Sequence, residues 1–339
     1  MNTSHKGEVQ RVVELDILRG IGIFSVLLIH STVLYTSNPI AFFLWDINQF
    51  AVQLLVFCAS YIYFIREKTI ETFSFLQYFK KRILRLVQPY YIFLAAYFLV
   101  LFIFQKSIFS KPYFILQSTL ITGGVDINWL VLLMLQFALL FPVLSFLKQK
   151  FKLGFYFLLA ASIASAIWLL FHKIPVHFKV VMWLPWISVA FYSLLFVKFK
   201  NNIRFLTASF AVMLVLFVGL HILQSNLGHS TKMYDNKYPP NLYFLVYGMM
   251  VIPFLLILNH IGLFRNIYMQ QFLTFLSKNS YSLFFLHFLV LFFLQRLEIH
   301  KKLEWLGFFG LVLVVSVTAQ FLINKAFLQL VGTKNAKSL

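Results

Sequence analysis

The segment Glu14-Leu15-Asp16-Ile17-Leu18-Arg19-Gly20-Ile21-Gly22-Ile23-Phe24-Ser25-Val26-Leu27-Leu28-Ile29-His30 decides the fold. From Ile17 the chain stays apolar to about residue 35, and spanning a hydrocarbon core takes roughly 20 such residues in helix. It follows a charged tail but has no small-residue cleavage motif near its end, so it reads as a retained first span rather than a removable signal.

Working outward, apolar runs of this kind recur to Leu330. They fall at about 17 to 35, 42 to 64, 87 to 105, 128 to 147, 153 to 171, 180 to 198, 204 to 223, 241 to 258, 279 to 295 and 305 to 330. The run from Tyr113 to Ile121 is too short to cross. The last segment contains Gln320, Asn324 and Lys325 and is expected to end early. No polar linker is long enough to separate two cores, so residues 1–339 form one membrane domain, with its core at about 12–330 between short polar tails. The fold class expected is all-α: a polytopic membrane protein of about ten transmembrane helices. Composition agrees, since 61% of the 339 residues are hydrophobic and 12% charged, against about half and a quarter in soluble domains.

The formal charge of +19 is not a nucleic-acid signature, because the cations sit in short clusters between apolar runs and no soluble basic domain holds them. Membrane lipids and phosphorylated small molecules are the expected partners. Cytoplasmic loops hold an excess of lysine and arginine. With both termini in the cytoplasm, twenty of the 29 cations fall on that side, including Lys6, Arg11, Arg19, the cluster Arg66 to Arg85, and Lys148, Lys150, Lys198, Lys200, Arg265, Lys278, Lys334 and Lys337. Lys106, Lys173, Lys232 and Lys237 fall outside, and the loop from about Gln224 to Pro240 is external. Cys58 is the only cysteine, so an intrachain disulfide or a cysteine-based zinc site is not expected, and no metal site is expected.

Four groups of polar residues carry chemistry. Arg19 and His30, 11 residues apart, lie on one helical stripe about 16 Å apart along the axis, which puts His30 near mid-membrane. An ionisable residue at that depth is a functional candidate, although a histidine bonded between helices as packing glue fits the same position. Asp16, three residues before Arg19, can orient the guanidinium or form an ordinary interfacial ion pair. Gly20 and Gly22 permit close approach of a ligand or, more simply, of another helix.

The second group is Lys80-Lys81-Arg82-Ile83-Leu84-Arg85-Leu86-Val87-Gln88-Pro89-Tyr90. Arg82 and Arg85 project together, and paired guanidiniums suit phosphate oxygens. A cytoplasmic anchor explains the same cluster. Pro89 suits the first turn of the next span. The third group runs from Asn128-Trp129 through Gln136 to Phe141-Pro142, and the fourth is Ser280-Tyr281-Ser282-Leu283-Phe284-Phe285-Leu286-His287. Taken singly, Trp129 reads as an interfacial aromatic, Gln136 as an interhelical hydrogen-bonder and His287 as a core histidine.

In this order the four segments resemble the membrane-bound acyltransferase family 3, whose members O-acylate polysaccharides and other surface molecules. The markers are Leu15-Asp16-x-Leu18-Arg19-Gly20 with His30, Arg82-x-x-Arg85 running into Pro89-Tyr90, the Trp129 to Pro142 segment, and Ser280 to His287. The resemblance implies an essential first-helix pair in Arg19 and His30, a conserved basic motif in Arg82 and Arg85, and an acyl-CoA donor, acetyl-CoA foremost, with no tightly bound cofactor. Two departures bear on acceptor recognition: Phe57-Cys58-Ala59-Ser60-Tyr61 lacks the Gly-Tyr pair common in the family, and Gln136 stands where an acidic residue is frequent. The chain also reads without the soluble esterase-like domain that some members carry.

The resulting expectation is an O-acyltransferase of the bacterial plasma membrane, acting on a hydroxyl of a surface glycan or lipid-linked acceptor. His30, Arg19 and Asp16 are its catalytic candidates, with His30 as general base. Arg82 and Arg85 would bind the donor, and Trp129, Gln136, Tyr281 and His287 would line the acceptor site or pocket. A transporter or flippase for a lipid-linked or acylated glycan is the alternative from another class.

Overall fold

The computed structural model describes residues 13–67, 73–104, 111–172, 178–199 and 202–336. Lys6, Arg11, Lys68, Lys106, Lys173, Lys200 and Lys337 of the charge count lie outside the described residues. Those residues contain helices and no strand: α1 (Val13–Thr32), α2 (Pro39–Ile47), α3 (Ala51–Ile65), α4 (Phe75–Phe104), α5 (Pro112–Thr119), α6 (Asn128–Lys150), α7 (Lys152–Phe171), α8 (Phe178–Val181), α9 (Trp183–Phe199), α10 (Ile203–Asn226), α11 (Leu242–His260), α12 (Ile267–Lys278), α13 (Ser280–Arg296) and α14 (Trp305–Ala336). Nine helical segments among them are long and apolar enough to cross a membrane, or up to ten if the pair α12 and α13, bent by 85°, is counted as one span. All ten coincide with the apolar runs of the sequence.

Asparagine side chains cap several of these helices by accepting from first-turn amides: Asn202 on α10, Asn241 on α11 and Asn266 on α12. Such caps satisfy donors that the helix leaves unpaired. Apolar packing then orders the helices. In the apolar window of the first span 67% of residues are buried, against 6% in α10, so α1 is the central helix and α10 lies at the edge. Close approach matters here: a Cβ on Gly20 would stand 2.4 Å from the carbonyl oxygen of Leu273 in α12, whereas one on Gly22 meets only ordinary contacts at 3.4 Å. Gly20 is therefore a packing residue.

Two expectations are corrected. Pro89 lies inside α4, not at the first turn of a span, so the basic turn and the third span are one continuous helix. In the same turn the Tyr281 hydroxyl donates to the carbonyl of Leu86 at 2.7 Å, so a side chain of another helix engages the backbone beside the proline. The last helix does not end at its polar residues but continues to Ala336. Gln320 is bonded to Ser282, Asn279 and Asn324, and Asn324 to Asn279, so its buried polar face is satisfied. His30 lies in the last turn of α1.

Candidate active site

One end of the bundle opens into a cavity of about 1190 Å³, whose lining includes Asp16, Arg19, Tyr78, Arg82, Arg85, Tyr281 and Gln320. Four of the five residues expected to form the first-helix and donor groups are thus brought together from α1 and α4. Arg82 and Arg85 both line the cavity, and the Arg82 guanidinium carbon lies 5.8 Å from the centre of the Tyr78 ring, a cation–π contact. Asp16 reaches across to α12, where its Oδ1 accepts from Ser277 Oγ at 2.7 Å. The Glu67 to Lys148 ion pair joins α6 to this end of the bundle.

The fifth, His30, lies beyond the cavity. The cavity lining reaches Ile23, Leu130 and Phe284, and seven residues of helix, about 10 Å, separate Ile23 from His30. Across that gap Phe284 lies with its ring centre 6.0 Å from that of His287. His287 in turn meets His30: Nδ1 of His30 and Nε2 of His287 are 3.0 Å apart.

The protonation pattern of this pair follows from its outer partner. His287 Nδ1 is 2.8 Å from the carbonyl oxygen of Leu283, and a carbonyl can only accept, so Nδ1 carries the proton. In neutral His287, Nε2 is then an acceptor. His30 Nδ1 donates to it, which leaves the lone pair of His30 on Nε2. The bond thus fixes the tautomer with a base available on the far nitrogen, the role that an orienting partner has for any catalytic histidine.

At the end of the bundle opposite the cavity, the loop between α10 and α11 folds over the helices. Its Lys237 is 5% exposed and its Nζ donates to Gln49 Oε1 at 3.0 Å. The same Nζ lies 5.3 Å from the Trp129 ring centre and 5.2 Å from that of Tyr238. Trp129 is therefore not at the cavity but at this other end, against Tyr238 with ring centres 5.0 Å apart. Gln136 is in neither place: its Nε2 donates to the carbonyls of Lys179 and Val180 at 2.9 and 3.4 Å, joining α6 to the start of the sixth span. Tyr281 lines the cavity and, through Leu86, braces the turn that carries Arg82 and Arg85.

Sequence reasoning missed Lys237, Gln49 and Tyr78. Lys237 reads from the sequence only as an outer cation, and nothing in its loop reveals which side chain points inward. His287 was noted, but its partnership with His30 joins residues 257 positions apart.

A family model described as "Acyltransferase domain", that of acyltransferase family 3, matches residues 12–325. No match was found among curated proteins or among solved structures. The match spans every transmembrane segment up to Lys325 and includes the cavity and both histidines, and on that ground the chain belongs to acyltransferase family 3: it is a membrane-embedded acyltransferase.

Proposed function

We propose that the enzyme moves an acyl group, acetyl foremost, from acyl-CoA in the cavity to a hydroxyl of a glycan or lipid-linked acceptor that approaches from the opposite end of the bundle. The observation that carries this reading is the His30–His287 pair, with a base-competent nitrogen on His30 and a cation-lined cavity about 10 Å below it along the helix.

In this reading Arg82 and Arg85 grip donor phosphates at the cavity rim, where planar guanidiniums match phosphate oxygens. Arg19 lines the way inward. From Arg19 to His30 is about 16 Å along the helix, comparable with an extended pantetheine arm, and Phe284 is the last side chain the thioester passes. His30 Nε2 takes the proton of the acceptor hydroxyl as its oxygen attacks the thioester carbonyl. The new C–O bond forms, the C–S bond breaks, and the proton on His30 goes to the departing CoA sulfur, giving an ester and CoA-SH. His287 accepts from His30 Nδ1 throughout. That bond strengthens when His30 is transiently cationic.

The cation-lined end is the cytoplasmic one in this account, which agrees with the lysine and arginine bias. The test is release of CoA by the purified protein with a panel of acyl-CoA donors, followed by transfer of labelled acetyl to glycan acceptors. CoA release that depends on His30 is the expected result. A protein that moves lipid-linked glycan across vesicles without consuming any acyl donor would contradict it.

A further inference from the structure

Lys237 is the only lysine or arginine that is buried among the described residues, and the chemistry proposed above does not use it. Among those residues no carboxylate forms an ion pair with it, and its one oxygen acceptor is Gln49. The Gln49 amide is itself fixed, because its Nε2 donates to the carbonyl of Trp45 at 3.0 Å. An ammonium group has three N–H donors. Beside Nζ lie the Trp129 and Tyr238 rings, with centres at 5.3 and 5.2 Å, which attract a cation but do not neutralise it.

A buried charge without a counter-ion is costly, and a neutral donor would hold Gln49 without that cost. Burial accordingly pulls the Lys237 ammonium down to about 7, a penalty that an arriving anion removes. Next to the lysine, Trp129 and Tyr238 meet edge to face at 86°, and Tyr234, 43% exposed, has its ring 5.8 Å from Tyr238. Ring contacts thus connect an exposed residue of the loop, Tyr234, through Tyr238 and Trp129 to Lys237. Aromatic faces of this kind pack against the C–H face of a sugar.

We propose that Lys237, Gln49, Trp129 and Tyr238 form the acceptor subsite, and that the acceptor is an anionic sugar whose carboxylate or phosphate binds Lys237 Nζ. The inference deepens the proposed function and rests on it. The sugar stacks on the Trp129 and Tyr238 rings, its anion completes the donors of the lysine, and its hydroxyls face the histidine pair from the side away from the cavity.

The experiment uses the full chain in lipid nanodiscs and three acceptor probes: methyl glucuronoside, glucose 6-phosphate and neutral methyl glucoside. Binding is measured calorimetrically without donor, and transfer is measured with labelled acetyl-CoA. The wild type binds and acetylates at least one anionic probe better than methyl glucoside by about ten-fold or more, the order of one charge-assisted hydrogen bond. Lys237→Gln, which keeps a donor for Gln49 but no charge, loses that preference, while Lys237→Arg retains it. Whichever anionic probe is preferred names the anion as carboxylate or phosphate. Equal use of charged and neutral probes by the wild type, or a preference that survives Lys237→Gln, overturns the proposal. If no acyl-CoA is consumed, the proposed function fails instead, and the binding comparison still decides whether Lys237 selects anions.

Discussion

His30 donates from Nδ1 to Nε2 of His287 across 3.0 Å, and His287 donates from its own Nδ1 to the Leu283 carbonyl at 2.8 Å. A main-chain carbonyl of α13 thereby sets, through two rings, which nitrogen of a residue in α1 is left to act as a base. The arrangement also ties the first and ninth spans together at the point where the proposed chemistry occurs.

His287 is a positioning residue in this account. His287→Leu removes the acceptor for His30 Nδ1–H and frees the wrong tautomer, so kcat falls by about 10²-fold, the lower range for general-base contributions, with donor KM little changed. His287→Gln offers a carbonyl oxygen in place of Nε2 and recovers part of the loss. Equal kcat in the Leu and Gln variants would reduce His287 to packing.

Arg82→Lys and Arg85→Lys keep the charge at the cavity rim but lose the planar fork. Each is expected to weaken CoA binding by about ten-fold, in line with loss of one charge-assisted bond, while membrane insertion is unaffected. Titration calorimetry with CoA checks this. Wild-type affinity in both variants would leave the pair as an anchor for the membrane surface.

Gly20→Ala places a Cβ 2.4 Å from the main-chain oxygen of Leu273, and neither backbone can yield without moving α1 against α12. Overpacking of that kind costs about 1–3 kcal/mol, seen as a lower unfolding temperature of the detergent-purified protein. Gly22→Ala, at 3.4 Å from its neighbours, is the matched control and should unfold near the wild type. Equal stability of the two variants would mean that α12 is not seated on α1 as described.

Trp129 and Lys150 lie 21 residues apart on α6, about 32 Å, and Trp129 touches the α10–α11 loop while the α6 end at Lys148 joins the cavity rim. Cysteines introduced at Lys150 and Asp235, in a background lacking Cys58, should therefore be labelled from opposite faces of intact cells, Lys150 from the cytoplasm. Labelling of both from one side would refute the orientation.

Much of the architecture was legible because length and apolarity suffice to mark a span, and each of the ten runs is helical, although the second is divided between α2 and α3 and the sixth between α8 and α9. What was not legible depended on contacts between distant segments. Pro89 looked like a helix start because sequence shows the missing amide but not Tyr281 bonding the same turn. Gln320 and Asn324 looked like a helix end because sequence shows two amides in an apolar run but not Asn279 and Ser282 waiting for them. The cavity group of Asp16, Arg19, Arg82 and Arg85 was foreseeable from spacing on two helices and from the family motifs. Lys237 was not, because nothing local distinguishes a loop lysine that points into the bundle from one that points into water.

The central claim is that His30 is the base, and the transfer rate of His30→Gln tests it most directly. Glutamine keeps approximate size and hydrogen-bonding capacity, so a packing role for His30 would be largely preserved, but it cannot take a proton near neutral pH. Measured with labelled acetyl-CoA on protein that inserts and binds CoA normally, His30→Gln is predicted to lose transfer by about 10²-fold or more. Transfer by folded His30→Gln protein at a rate near the wild type would contradict the account.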